Sequence, residues 1–266
     1  MCLLGRGHRM LSSRSSISRK QPVKQPIKPM PIRLQKFLAQ AQSVSRREAE
    51  RWMMSGRVTV NGQTVPLGTR VDPVHDQICV DGKPVRSVLA KHYYLFHKPR
   101  HVLVSRRDPQ GRPLIYDWLQ DLPVLVRSAG RLDFDSEGLL LLTNDGSLIQ
   151  RLTHPSKQVI KRYHVKVAGA FKVHDVAKLK RGIPLSEGLA QAYTVCVLRK
   201  SARSTWLEIA LTQGWNRQIR RMLTPLNYQV LRLRRVAIGP FKLGRLRAGE
   251  YRELAKKDLS ALPAQF

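Results

Sequence analysis

Acidic residues are scarce in this 266-residue chain. Eighteen Asp and Glu stand against 48 Lys and Arg, a net charge of +30 at pH 7 with His neutral. An excess of that size exceeds what solubility requires and points to a polyanionic partner, nucleic acid ahead of an anionic membrane surface. Long apolar runs are also missing. Nothing approaches the ~20 residues needed to cross a bilayer, so no membrane partner is expected. Cysteine is rare: Cys2, Cys79 and Cys196 are odd in number and form no Cys-x-x-Cys pair. Their paucity argues against a disulfide framework and against a thiolate zinc site, and fits a reducing, cytoplasmic setting. No internal repeat is present. What remains is a length that holds one sizeable core and a small second module.

Residues 1–30 read as a basic tail. Arg6, Arg9, Arg14, Arg19, Lys20, Lys24 and Lys28 occur there with no acid, among serines and spaced prolines. Too little apolar surface is present to offset the entropy of ordering, so disorder is expected. A basic arm on RNA phosphates is the favoured role. An organelle transit peptide, or a start nearer Met30, are the alternatives.

A small module is expected at 31–86. Leu34, Phe37, Leu38 and Ala41 mark one face of a helix. Ser45-Arg46-Arg47-Glu48 has the pattern of a capping box for a second helix, with Ala49, Trp52 and Met53 as its buried stripe and Gly56 as its end. Val58-Thr59-Val60, Asn61-Gly62 and Gln63-Thr64-Val65 predict a hairpin with a type I′ turn. Strands are further predicted at 70–71 and 78–80. Arg33, Lys36, Arg46, Arg47, Arg51 and Arg57 gather around the helix pair, where helix amides and guanidiniums can meet phosphate together. Over roughly residues 32–85 the pattern SRREAE…GRVTVNG resembles the S-four-type RNA-binding domain. That resemblance implies that the helix pair meets structured RNA, and the basic cluster puts the contact at Arg33, Lys36, Arg46, Arg47 and Arg57.

A basic connector from Lys83 to Lys91 leads to a second domain, expected at 92–256. Strands are predicted at Tyr93 to His97, with Val102-Leu103-Val104 pairing onto it, and at 163–167, 192–198, 206–211 and 230–236. Short helices fall between them, at 115–119, 147–152 and 173–181. Strands with short interspersed helices make an α+β fold with a largely antiparallel mixed sheet.

The stretch AGRLDFDSEGLLLLTNDG, residues 129–146, organises this domain. Leu139 to Leu142 run without alternation, as a strand covered on both faces does, and Asn144-Asp145-Gly146 supplies a turn. Upstream, Asp133 lies two residues from Arg131 and close to apolar packing, where a carboxylate needs an attending cation. Spacing alone leaves two readings open: a turn aspartate capping an amide, or a charge placed for chemistry. The second constellation is TQGWNRQIRRM, residues 212–222. Asn216 is the expected N-cap of a helix carrying Arg217, Arg220 and Arg221. Arginines at a helix start oppose the macrodipole, so they need anionic company. One is expected to turn inward to a carboxylate and the others outward to phosphate.

Asp133, Tyr163 and NRQIRRM together, in this order, resemble the pseudouridine synthases, in the branch that joins an S-four-type domain to the catalytic domain and modifies ribosomal RNA. The resemblance spans about 32–255. It implies that Asp133 is the essential nucleophile, Tyr163 packs on uracil, and Arg220 is the cationic partner of Asp133. Arg131 would brace the space left by a flipped base, and Asn216, Arg217, Gln218 and Arg221 would contact RNA. Gln213 departs from the glutamate more usual in this branch, and Thr224-Pro225-Leu226-Asn227 replaces a more regular helix end with Gly. The expected partner is ribosomal RNA, large-subunit before small, or a ribosome assembly intermediate, met by a monomer that needs no metal and no cofactor. Two rivals remain: a metal-dependent nuclease built on Asp133, Asp135 and Asp145, and a non-catalytic RNA-binding assembly factor. His97, His154 and His164 read as structural or surface residues.

Overall fold

The structure, a computed structural model, describes residues 31–42, 44–85 and 90–260. The tail read at 1–30 lies outside the described residues, as do residues 86–89 of the connector. Strand β1 (Ile32–Arg33) leads into α1 (Leu34–Ala41), then α2 (Arg46–Met54), β2 (Val58–Val60), β3 (Gln63–Thr64), β4 (Arg70–Val71), β5 (Ile78–Val80) and β6 (Lys83–Pro84). The connector therefore starts two residues later than its charge implied, because Lys83–Pro84 pairs with β5. Leu34, Phe37 and Leu38 of α1 bury against Ala49 and Met53 of α2 and against Val58, Val71 and Ile78 of the strands. The Ser45 hydroxyl accepts the Glu48 amide at 3.0 Å, as an N-cap should. The other half of the predicted capping box is missing. The Glu48 carboxylate turns instead to the Trp52 indole at 3.1 Å and to the Arg51 guanidinium, a charged donor that outcompetes a neutral amide. Asn61 (φ +52°) and Gly62 (φ +84°) give the predicted type I′ turn between β2 and β3.

The larger part of the chain is one sheet. Its strands are β7 (Tyr93–Lys98), β8 (Arg127–Ser128), β9 (Glu137–Thr143), β10 (Lys161–Ala168), then β13 (Thr194–Lys200), β14 (Ser204–Leu211), β15 (Val230–Ile238), β16 (Phe241–Lys242) and β17 (Tyr251–Glu253). Helices α3 (Gly146–Thr153), α4 (His174–Arg181) and α5 (Gln218–Leu223) and a hairpin of β11 (Ile183–Leu185) and β12 (Gly188–Ala190) complete it. The spatial order is β13-β14-β10-β15-β9-β7-β17, with β16 on β15 and β8 on β9. All these pairings are antiparallel except β15 with β9, which run parallel through Arg234–Glu137 and Arg235–Gly138. Among the described residues, no helix is long and apolar enough to cross a membrane.

Strand β9 explains the run of four leucines. Leu140 and Leu142 belong to the core that contains Phe171 and Leu207, whereas Leu139 and Leu141 belong to a second core with Leu148 and Leu152 of α3. Both faces of the strand are buried, so period-two alternation has no reason to exist. Each such leucine contributes on the order of 1.5–3 kcal/mol. One pairing differs from expectation. Leu103 bridges Leu114 instead of joining β7, because the chain reverses at His101, whose φ is +58°. The Asn144-Asp145 turn is shorter than predicted: Asp145 already caps α3, accepting from the Ser147 amide at 2.9 Å.

Candidate active site

Between the start of β9, the middle of β10 and the loop before α5 lies a cavity of about 460 Å³. Asp133 and Tyr163 both line it, with Arg131, Lys161, Trp215, Arg217 and Arg235. Tyr163 is buried on the core face of β10, level with Ile209 on one neighbour and Arg235 on the other. Lys161 lies two residues before it, on the same face of the strand. Its ammonium donates to the carbonyls of Val159 (3.0 Å) and Thr212 (3.2 Å). Burial, then the nearby Arg235, push its pKa down to about 8.

The turn that carries Asp133 is held from behind. The Ser136 amide donates to the Asp133 carbonyl at 3.1 Å. Lys98, with no exposed surface, donates from its ammonium to the carbonyls of Ser136 (2.7 Å) and Pro99 (2.9 Å). Burial lowers its pKa to about 8 even though Asp133, Asp135 and Glu137 favour its charge. Glu137 is clamped by Arg232 (2.8 Å) and Arg234 (2.6 Å), which fixes the next residue of the chain to β15. These guanidiniums hold the Glu137 carboxyl below its ordinary pKa in spite of burial.

The expected partner of Asp133 needs correcting. Arg220 forms its ion pair with Asp135, at 3.0 Å, and Arg217 holds the same carboxylate at 3.1 and 3.2 Å. Burial opposes the charge on Asp135, but the two guanidiniums outweigh it and lower its pKa. Asp133 is near enough to Arg220 to favour the charge on that guanidinium. Its own carboxylate is half-buried and takes no hydrogen bond or contact ion pair among the described residues. Of two carboxylates on one turn, Asp135 is thus neutralised and Asp133 is left facing the cleft.

A profile described as RNA pseudouridylate synthase matches residues 92–224, and one described as S4 domain matches residues 32–78. An RNA pseudouridine synthase of Aquifex aeolicus is 40% identical over 235 residues, 88% of this chain and 94% of that one. Ribosomal large subunit pseudouridine synthase B of Bacillus subtilis is 37% identical over 235 residues, 87% and 96%. The chain belongs to the RNA pseudouridine synthase family. A crystal structure of a pseudouridylate synthase superposes with a TM-score of 0.61 at 29% identity, covering 86% of this chain and 98% of the other.

The arginine block of this synthase is arranged otherwise than its sequence implies. Helix α5 starts at Gln218, not after Asn216. Arg217 occupies the cap position in left-handed backbone, φ +47°. Asn216 contributes its carbonyl to Arg221 at 3.1 Å instead of capping the helix. Gln218 is buried, and its side chain is spent within the loop: it accepts from the Trp215 amide (3.2 Å) and donates to Gln213 (2.6 Å). Gln213 uses the rest of its amide on Gln191 (3.1 Å) and Leu189 (3.1 Å), so it ties the β11–β12 hairpin to the loop. The division into inward and outward arginines fails too, because Arg221 grips Glu187 at 2.6 and 2.7 Å. All three arginines therefore hold carboxylates.

In the small domain, Arg33, Arg46 and Arg47 are exposed and Lys36 half-exposed, with no ion pair among the described residues. Arg57 is different: it holds Asp81 at 2.8 and 2.5 Å and lies over the Trp52 ring. Arg131 is exposed at the rim of the cleft. The carboxylates of the nuclease reading do not converge, because Asp145 caps α3 and pairs with Lys91 at 3.0 Å. The sequence reading gave no site role to Lys98, Lys161, Trp215 or Arg235, and took Asp135 only as an acid of the nuclease alternative. A signal existed for two of them: Lys98 stops an apolar strand, and Asp135 repeats the acid two residues after Asp133.

Proposed function

We propose that this synthase converts a specific uridine of large-subunit ribosomal RNA to pseudouridine, with Asp133, Tyr163 and Arg220 as its chemical core. The observation that carries the proposal is the unpaired Asp133 carboxylate sharing one cleft with Tyr163 while Asp135 absorbs Arg217 and Arg220. The reaction breaks the bond from N1 of uracil to C1′ of the ribose and forms one from C5 to C1′. A carboxylate serves by attacking, or by stabilising positive charge that develops at C1′. Asp133 has the freedom for this, and its charge is felt by Lys98 behind the turn and by Arg220 beside it. Once C5 is attached it carries a surplus proton, which must leave while N1 gains one. Tyr163 supplies a ring to pack on uracil and a hydroxyl for that transfer. Arg220 acts on Asp133 through the turn, by fixing Asp135.

A paired uridine cannot reach the cleft, so the base must leave its stack, and exposed Arg131 at the rim is placed to brace the gap. We assign residues 31–86 to RNA binding through Arg33, Lys36, Arg46 and Arg47, and residues 92–256 to catalysis. The B. subtilis relative, named for the large ribosomal subunit, supports that choice of RNA. The test is incubation of large-subunit ribosomal RNA transcripts with wild-type protein and with Asp133→Asn, with and without chelator, followed by mapping of pseudouridine. Product from the wild type alone, insensitive to chelator, and unchanged RNA affinity of the variant are expected. Product from Asp133→Asn would sink the assignment. Binding without product by the wild type would make the protein an assembly factor.

A further inference from the structure

The cleft is larger than one pyrimidine needs, and its lining says what else enters. Two aromatic side chains line it, Tyr163 and Trp215. They are not on one spot. Tyr163 sits within β10, opposite Ile209 of β14. Trp215 follows the end of β14, four residues past Leu211, which pairs with Lys161. The indole thus borders the cleft beyond Lys161, near Arg217, where the strand has given way to a loop. Among the described residues, four cations and one carboxylate line the cavity: Arg131, Lys161, Arg217 and Arg235 against Asp133. A polyanion with planar, unstacked groups fits that combination, and single-stranded RNA is such a polymer.

We infer that Trp215 is a second base-stacking platform, which receives the unpaired nucleobase adjoining the uridine that enters beside Tyr163. The inference rests on the reading of the cleft as an RNA site. The main chain of Trp215 is set before RNA arrives, since its amide donates to the Gln218 side chain at 3.2 Å and its carbonyl accepts from the Gln218 amide at 3.3 Å. The indole is half-buried and packs against the main hydrophobic core, with room for no more than a methyl group between it and Gly188 of β12. That support fixes the ring at little entropic cost, which is what a stacking surface needs. The indole N–H finds no acceptor among the described residues, so it is free to donate to the incoming strand. Stacking reads any base by its face, so this subsite selects for an unpaired neighbour more than for a particular base.

The test uses Trp215→Leu, which keeps apolar bulk against Gly188 without a π face, and Trp215→Phe, which keeps a face. With a large-subunit ribosomal RNA transcript as probe, Trp215→Leu should raise KM and Kd by roughly five- to a hundred-fold, with kcat changed much less. Trp215→Phe should recover most of that loss, and thermal melts of both should match the parent. Equal effects in the two variants, or none in either, overturn the inference. A second measurement does not depend on those folds. In protein whose Trp52, Trp118 and Trp206 are changed to Phe, the fluorescence of Trp215 should be quenched by the transcript. It should not be quenched by an abasic ribose-phosphate oligomer at saturating concentration. No quenching by the transcript, or equal quenching by both, refutes stacking. Should the wild type form no pseudouridine while Trp215 still quenches, the proposed activity fails and the stacking subsite stands.

Discussion

Gly138 offers the sharpest test of how the site is held. A Cβ added there would lie 2.3 Å from the carbonyl oxygen of Arg235 and 2.6 Å from its nitrogen. Both are backbone atoms, so no side chain can swing away. The residue also has φ +110°, which costs any other residue about 1–3 kcal/mol. Overpacking against a fixed wall adds about 1–3 kcal/mol or more. Gly138→Ala should therefore lose roughly 2–6 kcal/mol, a large part of the ~5–15 kcal/mol that keeps a domain folded. The relief available to the molecule is to part β9 from β15, and that displaces the Asp133 turn along with Glu137. Gly146→Ala is the matched control, because it meets no atom within 4 Å at the first residue of α3. There alanine should be neutral or stabilising by up to ~1 kcal/mol. Denaturant unfolding of the two variants, with single-turnover pseudouridine formation at a temperature where both remain folded, makes the comparison. Gly138→Ala within about 0.5 kcal/mol of the parent, with normal turnover, would refute the idea that this crossing positions the Asp133 turn.

Tyr163→Phe keeps the ring and loses the hydroxyl, so RNA affinity should hold while single-turnover rates fall by ten-fold or more; equal rates would leave Tyr163 a packing residue. Arg46→Ala combined with Arg47→Ala should weaken RNA binding and reduce the slope of log K against log salt by about one per lost phosphate contact, while the rate at saturating RNA survives; normal binding with no reaction would contradict the division of labour. Stability should rise between pH 8 and about 10. Lys98 and Lys161 have folded pKa values near 8, below the ordinary 10.5, so over that window the unfolded chain binds more protons and loses its advantage as they leave. For Lys98, which has no exposed surface, the effect is on the order of 3 kcal/mol. Above pH 10, Tyr93, pushed up to about 12 chiefly by burial, works in the opposite sense. Denaturant midpoints measured across pH for the wild type and Lys98→Met check this, and a flat wild-type curve from pH 8 to 10 contradicts it.

Local chemistry was legible wherever one stretch carries its own answer. The Asn61-Gly62 turn, the Ser45 cap and the doubly buried leucines each follow from a spacing that only one geometry satisfies. Partner choice was not legible. Nothing in the spacing tells Asp133 from Asp135 as the acceptor of Arg220, since the two carboxylates differ by two residues and the guanidinium arrives from 85 positions away. Charge competition hid the same way. Glu48 could complete a capping box only if no better donor stood nearby, and Arg51 and Trp52 on the next turn supply two. Arg217 and Arg221 looked free because the acids that hold them, Asp135 and Glu187, come from distant parts of the chain.

The two-sided burial of β9 has a consequence for how the molecule comes apart. Leucines of this strand are counted in both hydrophobic layers, so neither layer can melt and leave the other intact. The amides of residues 139–142 are then expected to exchange with solvent only in the global opening, while those of α5 and of the β11–β12 hairpin, which lie outside the sheet, exchange through smaller excursions. The Asp133 turn is rooted in the strand expected to open last, and Trp215 and Arg217 sit in the loop leading to α5, expected to open sooner. One wall of the cleft can then yield to a bulky RNA strand while the other keeps the Asp133 carboxylate in register.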